Sequence, residues 1–548
     1  MYVDASKSHG NKYTRFLLRE NYREDGKVKH RTIANLSHCS VEEIDAIKLA
    51  LKHKKNLAEL VSLSEDITLH QGCSIGAVFL IYDMARQIGI HKAFGPSREG
   101  KLALWQVIAR VIDQGSRLSA VRLAGNHAAC DILGLDIFNE DDLYNNLDWL
   151  AKKQNAIEDR LFNGTYTDKK PELFLYDVTS SYLEGTCNEL GAFGYNRDGK
   201  KGKRQIVIGL LCDDWGKPIS IEVFKGNTND TKTFYSQVKK VSERFGNSEI
   251  TFVGDRGMIK GPQIEEIKKE SFHYITAITK EQIKTLLKQG SIQLDLFDEE
   301  LAEIESDQGV RYILRRNPIR AEEIKKSRDS KQLSLELLAA NQNKYLAGHP
   351  RAHVDIALRK VKEFAAKLRI SKWIIVIAEE REIEIKIDKD VLKEESKLDG
   401  CYVLTTDLKK DVSKEIIHTR YKDLAKVEWA FRTSKTVVLE MRPIHVRLAD
   451  RTRGHALVVM LAYRIVQELA DRWQNIDLTV EEGIAELTQV CAMEMRINNK
   501  PFCNRIPEPR ASIRGLLKEA DVRLPDAFSG SGKKVATRKK LTERRKSN

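Results

Sequence analysis

The segment LFLYDVTSSYLEG, residues 173–185, constrains the fold most. It reads as a β-strand of aromatic, apolar and β-branched residues that carries one acid, Asp177, in its middle. A carboxylate there is costly to bury unless it faces a metal, a cation or solvent. Two further strands follow, RQIVIGLLCDD (204–214) and PISIEVFKG (218–226). The tight turn Asp214 to Gly216 between them predicts an antiparallel meander. Residues 231–245 read as a helix. EITFVGDRG (249–257) is a fourth strand ending at Asp255, GPQIEEIKKE a helix, and FHYITAIT (272–279) a fifth strand. The expected fold class is α/β, a mixed sheet with helices packed on it.

Around this centre the chain divides into further regions. Residues 1–65 read as a hairpin about Asp25-Gly26, then an amphipathic helix over 41–60 with Ile44, Ile47 and Leu51 on one side. Residues 66–165 read as a helical DNA-binding domain, with Asn139 capping a long helix through Leu143, Leu147 and Leu150. Within it, RLSAVRLAG is the candidate for a helix-turn-helix. The core occupies 170–280 and resumes over 399–470, with CYVLTTD (401–407) as a strand and one helix from Asp411 to Met441. Residues 281–398, with VRYILRR, KWIIVIAEE and EIEIKID around a Lys-rich helix, read as an inserted subdomain. Residues 471–530 read as a C-terminal helical region and 531–548 as a basic disordered tail.

Charge points to a polyanion. Lys+Arg 92 against Asp+Glu 79 gives +13, and eight basic residues against one acid from Ser531 onward put +7 in the tail. No apolar run reaches the length of roughly 18 residues that a membrane helix needs. The N-terminus has no apolar segment of the signal-peptide kind. The eight cysteines form no C-x-x-C pair. They read as reduced thiols of a cytoplasmic protein, not as a zinc site. No Gly-rich phosphate loop is present, so no nucleotide cofactor is expected.

Three acids carry the candidate chemistry: Asp177 inside a strand, Asp255 at a strand end, and Glu428 mid-helix. On a continuous helix, Tyr421, Glu428 and Lys435, seven residues apart, project from one face, and Arg432 lies one turn beyond Glu428. Such a face sets an acid among groups that bind phosphate. Phosphodiester cleavage is an in-line displacement that two divalent ions about 4 Å apart can promote. Mg²⁺ prefers carboxylate oxygens, so three acids suffice and no nucleophilic Ser, Cys or His is needed. Arg256 can orient a carboxylate or bind phosphate. Lys200, Lys201, Lys203 and Arg204 form a basic loop that can follow a DNA backbone. His445 and His455 lack metal-ligand spacing and read as packing or DNA-facing residues.

DVTSSYLEG, VGDRGM, GNTND (226–230), DGCYVLTTD (399–407) and the steps Tyr421, Glu428, Lys435 together resemble the DDE transposases of bacterial insertion sequences. They are most similar to the IS-four superfamily, whose helix signature is Tyr-(2)-Arg-(3)-Glu-(6)-Lys. The hairpin ending in RTIANL resembles the branch typified by the insertion sequence numbered sixteen-thirty-four. The signature's Arg falls at Leu424, with Lys422 and Arg432 nearby. The resemblance implies a ribonuclease-H-like core interrupted by a β-rich insertion between its fifth strand and the Glu helix. It implies that Asp177, Asp255 and Glu428 hold two Mg²⁺ ions, with Mn²⁺ able to substitute. Tyr421 and Lys435 would then contact double-stranded DNA near the scissile phosphate. The implied reaction is nicking at element ends and attack of the freed 3′-hydroxyl on target DNA, by a homodimer on DNA at the bacterial chromosome. Two other readings stay open: a catalytically silent DNA-binding relative, and a metal-dependent endonuclease that cuts without joining.

Overall fold

The computed structural model describes residues 1–7, 14–54, 67–245, 249–436, 439–497, 500–528, 535 and 537. The basic tail therefore lies almost wholly outside the described residues, as does the end of the helix expected over 41–60. That helix is described as Val41–Lys52, with Ser40 and Glu43 closing a capping box. The hairpin forms as expected. Strands Thr14–Glu24 and Lys27–Asn35 meet at Asp25 (φ 49°) and Gly26 (φ 73°), the two left-handed positions of a tight hairpin turn. Tyr2–Lys7 adds a third strand.

The centre of the molecule is an eight-stranded mixed sheet. In chain order its strands are β1 (Leu173–Tyr182), β2 (Gln205–Cys212), β3 (Pro218–Lys225), β4 (Thr251–Val253), β5 (His273–Ala277), β6 (Ala302–Glu305), β7 (Arg311–Arg316) and β8 (Cys401–Thr406). Their spatial order is β6-β7-β8-β5-β4-β1-β2-β3. β1, β2 and β3 form the expected antiparallel meander, while β4 runs parallel to both β1 and β5.

Strand periodicity sorts the side chains onto two faces. Phe174, Tyr176 and Val178 enter one core, with Phe252 and Tyr274, under helices Asp230–Lys240 and Gly261–Lys269. Leu175, Val253 and Ile275 enter the other, which is continuous with the helical layer.

Seven helices matter below: α1 (Arg98–Ile112), α2 (Glu140–Thr165), α3 (Pro318–Gly348), α4 (Val354–Lys367), α5 (Lys414–Lys422), α6 (Leu424–Lys435) and α7 (Ala449–Arg472). α7 is the axis of the helical layer, buried on nearly all sides from Thr452 to Val466. It crosses α2 at Gly454, where a Cβ would lie 2.2 Å from the Leu147 carbonyl oxygen; only glycine fits so close an approach. Asn139 caps α2 as expected, accepting from the backbone N–H of Asp141 and Asp142.

One expected helix is more buried than its reading suggests, and three expectations need correction. Arg117–Asn126 is helical, but no side chain from 117 to 125 is exposed, and Arg117 donates to the buried His455 at 2.9 Å. The helix is thus partly buried, with Leu118, Ser119, Arg122 and Leu123 half-buried and Asn126 exposed. Of the two histidines, His455 is thus a packing residue while His445 is exposed.

The insertion is not β-rich. VRYILRR forms β7, which pairs with β8 from Arg311↔Thr406 to Arg316↔Cys401 and so extends the central sheet. What remains, from Pro318, is chiefly α3, α4 and one hairpin, Ile374–Glu379 with Glu382–Ile387, around its own core of Leu335, Ala339, Val361 and Trp373.

The helix expected over Asp411–Met441 is two helices that meet at Asp423, where Lys426 N–H bonds the Asp423 carbonyl. It stops at Thr436, whose backbone is extended. The C-terminal region is only partly helical, because Cys491–Ile497 pairs with Ile67–Ser74 in a four-stranded sheet.

Candidate active site

Register brings the two aspartates together. β1 and β4 are parallel neighbours, and Leu175 pairs with Val253. Two residues further along each strand stand Asp177 and Asp255, on the same face by the period of two. That face is the one turned toward the helical layer. β4 ends at once, since the Asp255 carbonyl accepts from the N–H of Met258 and Ile259 in a tight turn. Asp255 Oδ1 accepts from its neighbour's N–H, Arg256, at 2.6 Å. Asp177 Oδ1 accepts from the Val178 N–H at 2.8 Å.

α6 supplies the third acid. Val427, Ala430 and Phe431 seat the helix on the core beside β1, leaving Glu428 on the open side. Asp177, Asp255 and Glu428 stand where two clefts meet. One is lined by Arg197, Arg432, Lys435 and Arg442. The other, of about 1000 Å³, is lined by Arg256, Tyr421, Lys422 and Leu424, and by Arg320 and Lys331 of α3. The break at Asp423 thus puts Tyr421 and Lys435 in different clefts, flanking Glu428 instead of sharing one helix face with it.

Among the described residues none of the three acids makes an ion pair. Burial, together with the nearby charges of Asp255 and Glu428, pushes the Asp177 carboxyl up to about 7. Burial and the Asp255 charge also raise the Tyr421 hydroxyl. Among the described residues no three His, Cys, Asp or Glu side chains stand close enough together to grip an ion as they are. The donor set nonetheless fits a hard divalent cation in its chemistry: three carboxylates on separate elements, mutually repelling and without a protein cation between them.

Behind the acids lies a network that sequence reasoning missed. Asp198, 2% exposed, accepts from Lys435 Nζ at 3.0 Å and Arg442 Nη1 at 2.6 Å. Lys435 also donates to Thr179 Oγ1 at 2.6 Å. Burial pulls the Lys435 ammonium down from its ordinary value, and Asp198 opposes that shift. Arg197 reaches both oxygens of Asp230 at 2.7 Å. Asp230 is the last residue of GNTND, a motif visible in the sequence, whereas nothing local marked Asp198 or Arg442. Lys201, Lys203 and Arg204 do not line either cleft. Lys203 pairs with Glu184 at 2.9 Å, and Arg204 donates to the Thr186 carbonyl and lies over Phe193.

Comparison with known proteins gives the family. Residues 3–65 match the N-terminal domain of IS1634 family transposases, and residues 168–465 match the transposase DDE domain. No curated protein matches. Among solved structures, the piggyBac transposase synaptic complex with hairpin DNA is 10% identical and has a TM-score of 0.35, over 71% of this chain and 69% of that one. So low a score carries no argument. The DDE match spans more than half of the 548 residues and implies a ribonuclease-H-like fold for the central sheet. The chain belongs to the IS1634 family of DDE transposases.

Proposed function

We propose that the chain binds the ends of its insertion sequence as a homodimer, nicks the DNA by hydrolysis, and joins the freed 3′-hydroxyl ends to target DNA. The observation that supports this best is the meeting of three acids, Asp177, Asp255 and Glu428, without ion-pair partners among the described residues, at the junction of two clefts rich in Arg and Lys. Two Mg²⁺ ions, or Mn²⁺ in their place, would be held by these acids and supply Lewis acidity for an in-line displacement.

The other roles fall to the chain's own side chains. Arg432 and Lys435 in one cleft, and Arg256 and Tyr421 in the other, bind backbone phosphates on the two sides of the reacting bond. Lys435 is held in place by Thr179 and Asp198, so its ammonium reaches the phosphate already oriented. Leu424 takes the place of the signature's Arg, and Lys422 in the same cleft provides the positive charge on that side.

The test uses the DNA flanking the coding sequence. Labelled flanks are incubated with the protein and Mg²⁺, beside Asp177→Asn, and the cuts are mapped. Discrete cuts at inverted-repeat boundaries, absent in the variant, are expected, followed by joined products when target DNA is added. Binding without cutting would identify a silent relative, cutting without joining an endonuclease. Equal cutting by the variant would remove Asp177 from the mechanism.

A further inference from the structure

A third pocket, of about 360 Å³, shares no residue with the acid-lined clefts. It lies between α2, α7, the turn joining β2 to β3, and residues 86–92. Five cations line it, Arg86, Lys92, Arg160, Lys217 and Arg464, against one carboxylate, Glu468. Glu468 is already engaged by Lys217 at 3.5 Å and Arg472 at 3.0 Å, and Arg86 is paired with Asp83 at 3.2 Å.

The other three cations make no ion pair among the described residues. Arg464 is the telling one. It is 7% exposed, and its guanidinium donates to the Pro218 carbonyl at 3.1 Å and Thr165 Oγ1 at 3.5 Å, both uncharged acceptors. Arg160, exposed, donates to the Ala156 carbonyl of its own helix and has no other hydrogen bond among the described residues. Arg464 lies near the carboxylates of Asp213 and Glu468 but makes no ion pair with either among the described residues. Its buried charge is only partly offset, and an anion entering the pocket would offset it further. Guanidinium forks match the oxygens of a phosphate.

We infer that this pocket binds a phosphate group, and that the phosphate belongs to a DNA backbone contacted away from the cutting site. The choice of DNA as the source rests on the proposed function; the phosphate site itself does not.

The test measures binding of a random-sequence duplex to the full chain across a salt series. Lys92→Gln with Arg160→Gln is compared with Lys152→Gln with Lys153→Gln, an exposed pair on α2 that removes the same charge. The slope of log K against log salt is expected to fall by about 1 to 2 in the pocket variant and to stay unchanged in the control. Inorganic pyrophosphate provides the second probe. It is expected to raise the melting temperature of the wild type but not of the pocket variant. Arg464→Met, if it folds, is expected to lose the same response.

An unchanged DNA slope in the pocket variant, together with loss of its pyrophosphate response, would overturn DNA as the source. Loss of neither response in the folded pocket variant would overturn the site. Cleavage by Asp177→Asn tests the catalytic reading separately, because the two sites share no residue.

Discussion

Glu428 and Lys435 lie seven residues apart on α6, yet their electrostatic situations are opposite. Glu428 is exposed to the clefts and pairs with no cation among the described residues. Lys435 is buried and bonded to Asp198 and Thr179. The same contrast separates Asp177 and Asp255 from Asp198 and Asp230. One pair makes no ion pair among the described residues, while the other is paired with Lys435, Arg442 and Arg197. The cleft acids, of which Asp255 and Glu428 are exposed, face solution, whereas the paired Asp198 and Asp230 hold the frame.

The largest expected effect separates these two classes. Glu428→Gln should lower strand cleavage by roughly a thousandfold, the scale on which single preorganised electrostatic groups act. Its stability without metal should be unchanged or higher, since it removes charge repulsion around Asp177. A clear loss of stability in denaturant titration would instead class Glu428 with the frame.

Asp198→Ala should do the reverse. Removing the acid strands Lys435 in a buried setting, and breaking such a pair costs about 3 kcal/mol. The loss should appear in the denaturation midpoint of the metal-free protein. Lys435→Met is the control. It leaves Asp198 with Arg442, so it should cost less stability while still weakening DNA cleavage.

pH sharpens the contrast further. The folded Asp177 carboxyl titrates at about 7, above its ordinary value of 3.8. The folded state therefore binds the proton more tightly than the unfolded one. Its contribution favours folding below about pH 4 and is lost as pH rises toward 7. A metal ion must displace that proton. Below pH 7 the apparent Mn²⁺ affinity should rise by up to about tenfold per pH unit and then level off. Asp177→Asn should abolish the slope. A flat profile between pH 5 and 7 in the wild type would show that Asp177 is already ionised.

Much of the site was legible because it depends on local pattern. Strand periodicity and the position of Asp177 in LFLYDVTSSY put it on the sheet, and the apolar run before Asp255 put that acid at a strand end. Asp198 was not legible. Its sequence surroundings, NRDGK, read as an ordinary polar turn, and its partners Lys435 and Arg442 arrive from more than 230 residues away. The same limit explains β7. VRYILRR announces a strand, but nothing in its seven residues says that its partner is β8 across the whole insertion. The helix break at Asp423 was hidden for a different reason. Asp423 keeps helical φ and ψ, so the change is a one-residue tightening that no breaker residue marks.

That break bears on the smallest predicted effect, at Leu424. It is the first residue of α6, partly buried, and it lines the cleft that also holds Tyr421 and Lys422. Leu424→Arg would place the signature's cation there. The helix start tolerates arginine, and a long side chain can keep its stem on the apolar surface with its head in the cleft. The variant should bind end DNA a few-fold more tightly at low salt, with the salt slope steeper by about 1, as for one added phosphate contact. Arg432→Gln should move the slope the other way. If Leu424→Arg leaves the slope unchanged while cleavage persists, the phosphate on that side is already served by Lys422. Lys422→Gln should then cost the wild type the same unit of slope that the Leu424 variant failed to gain.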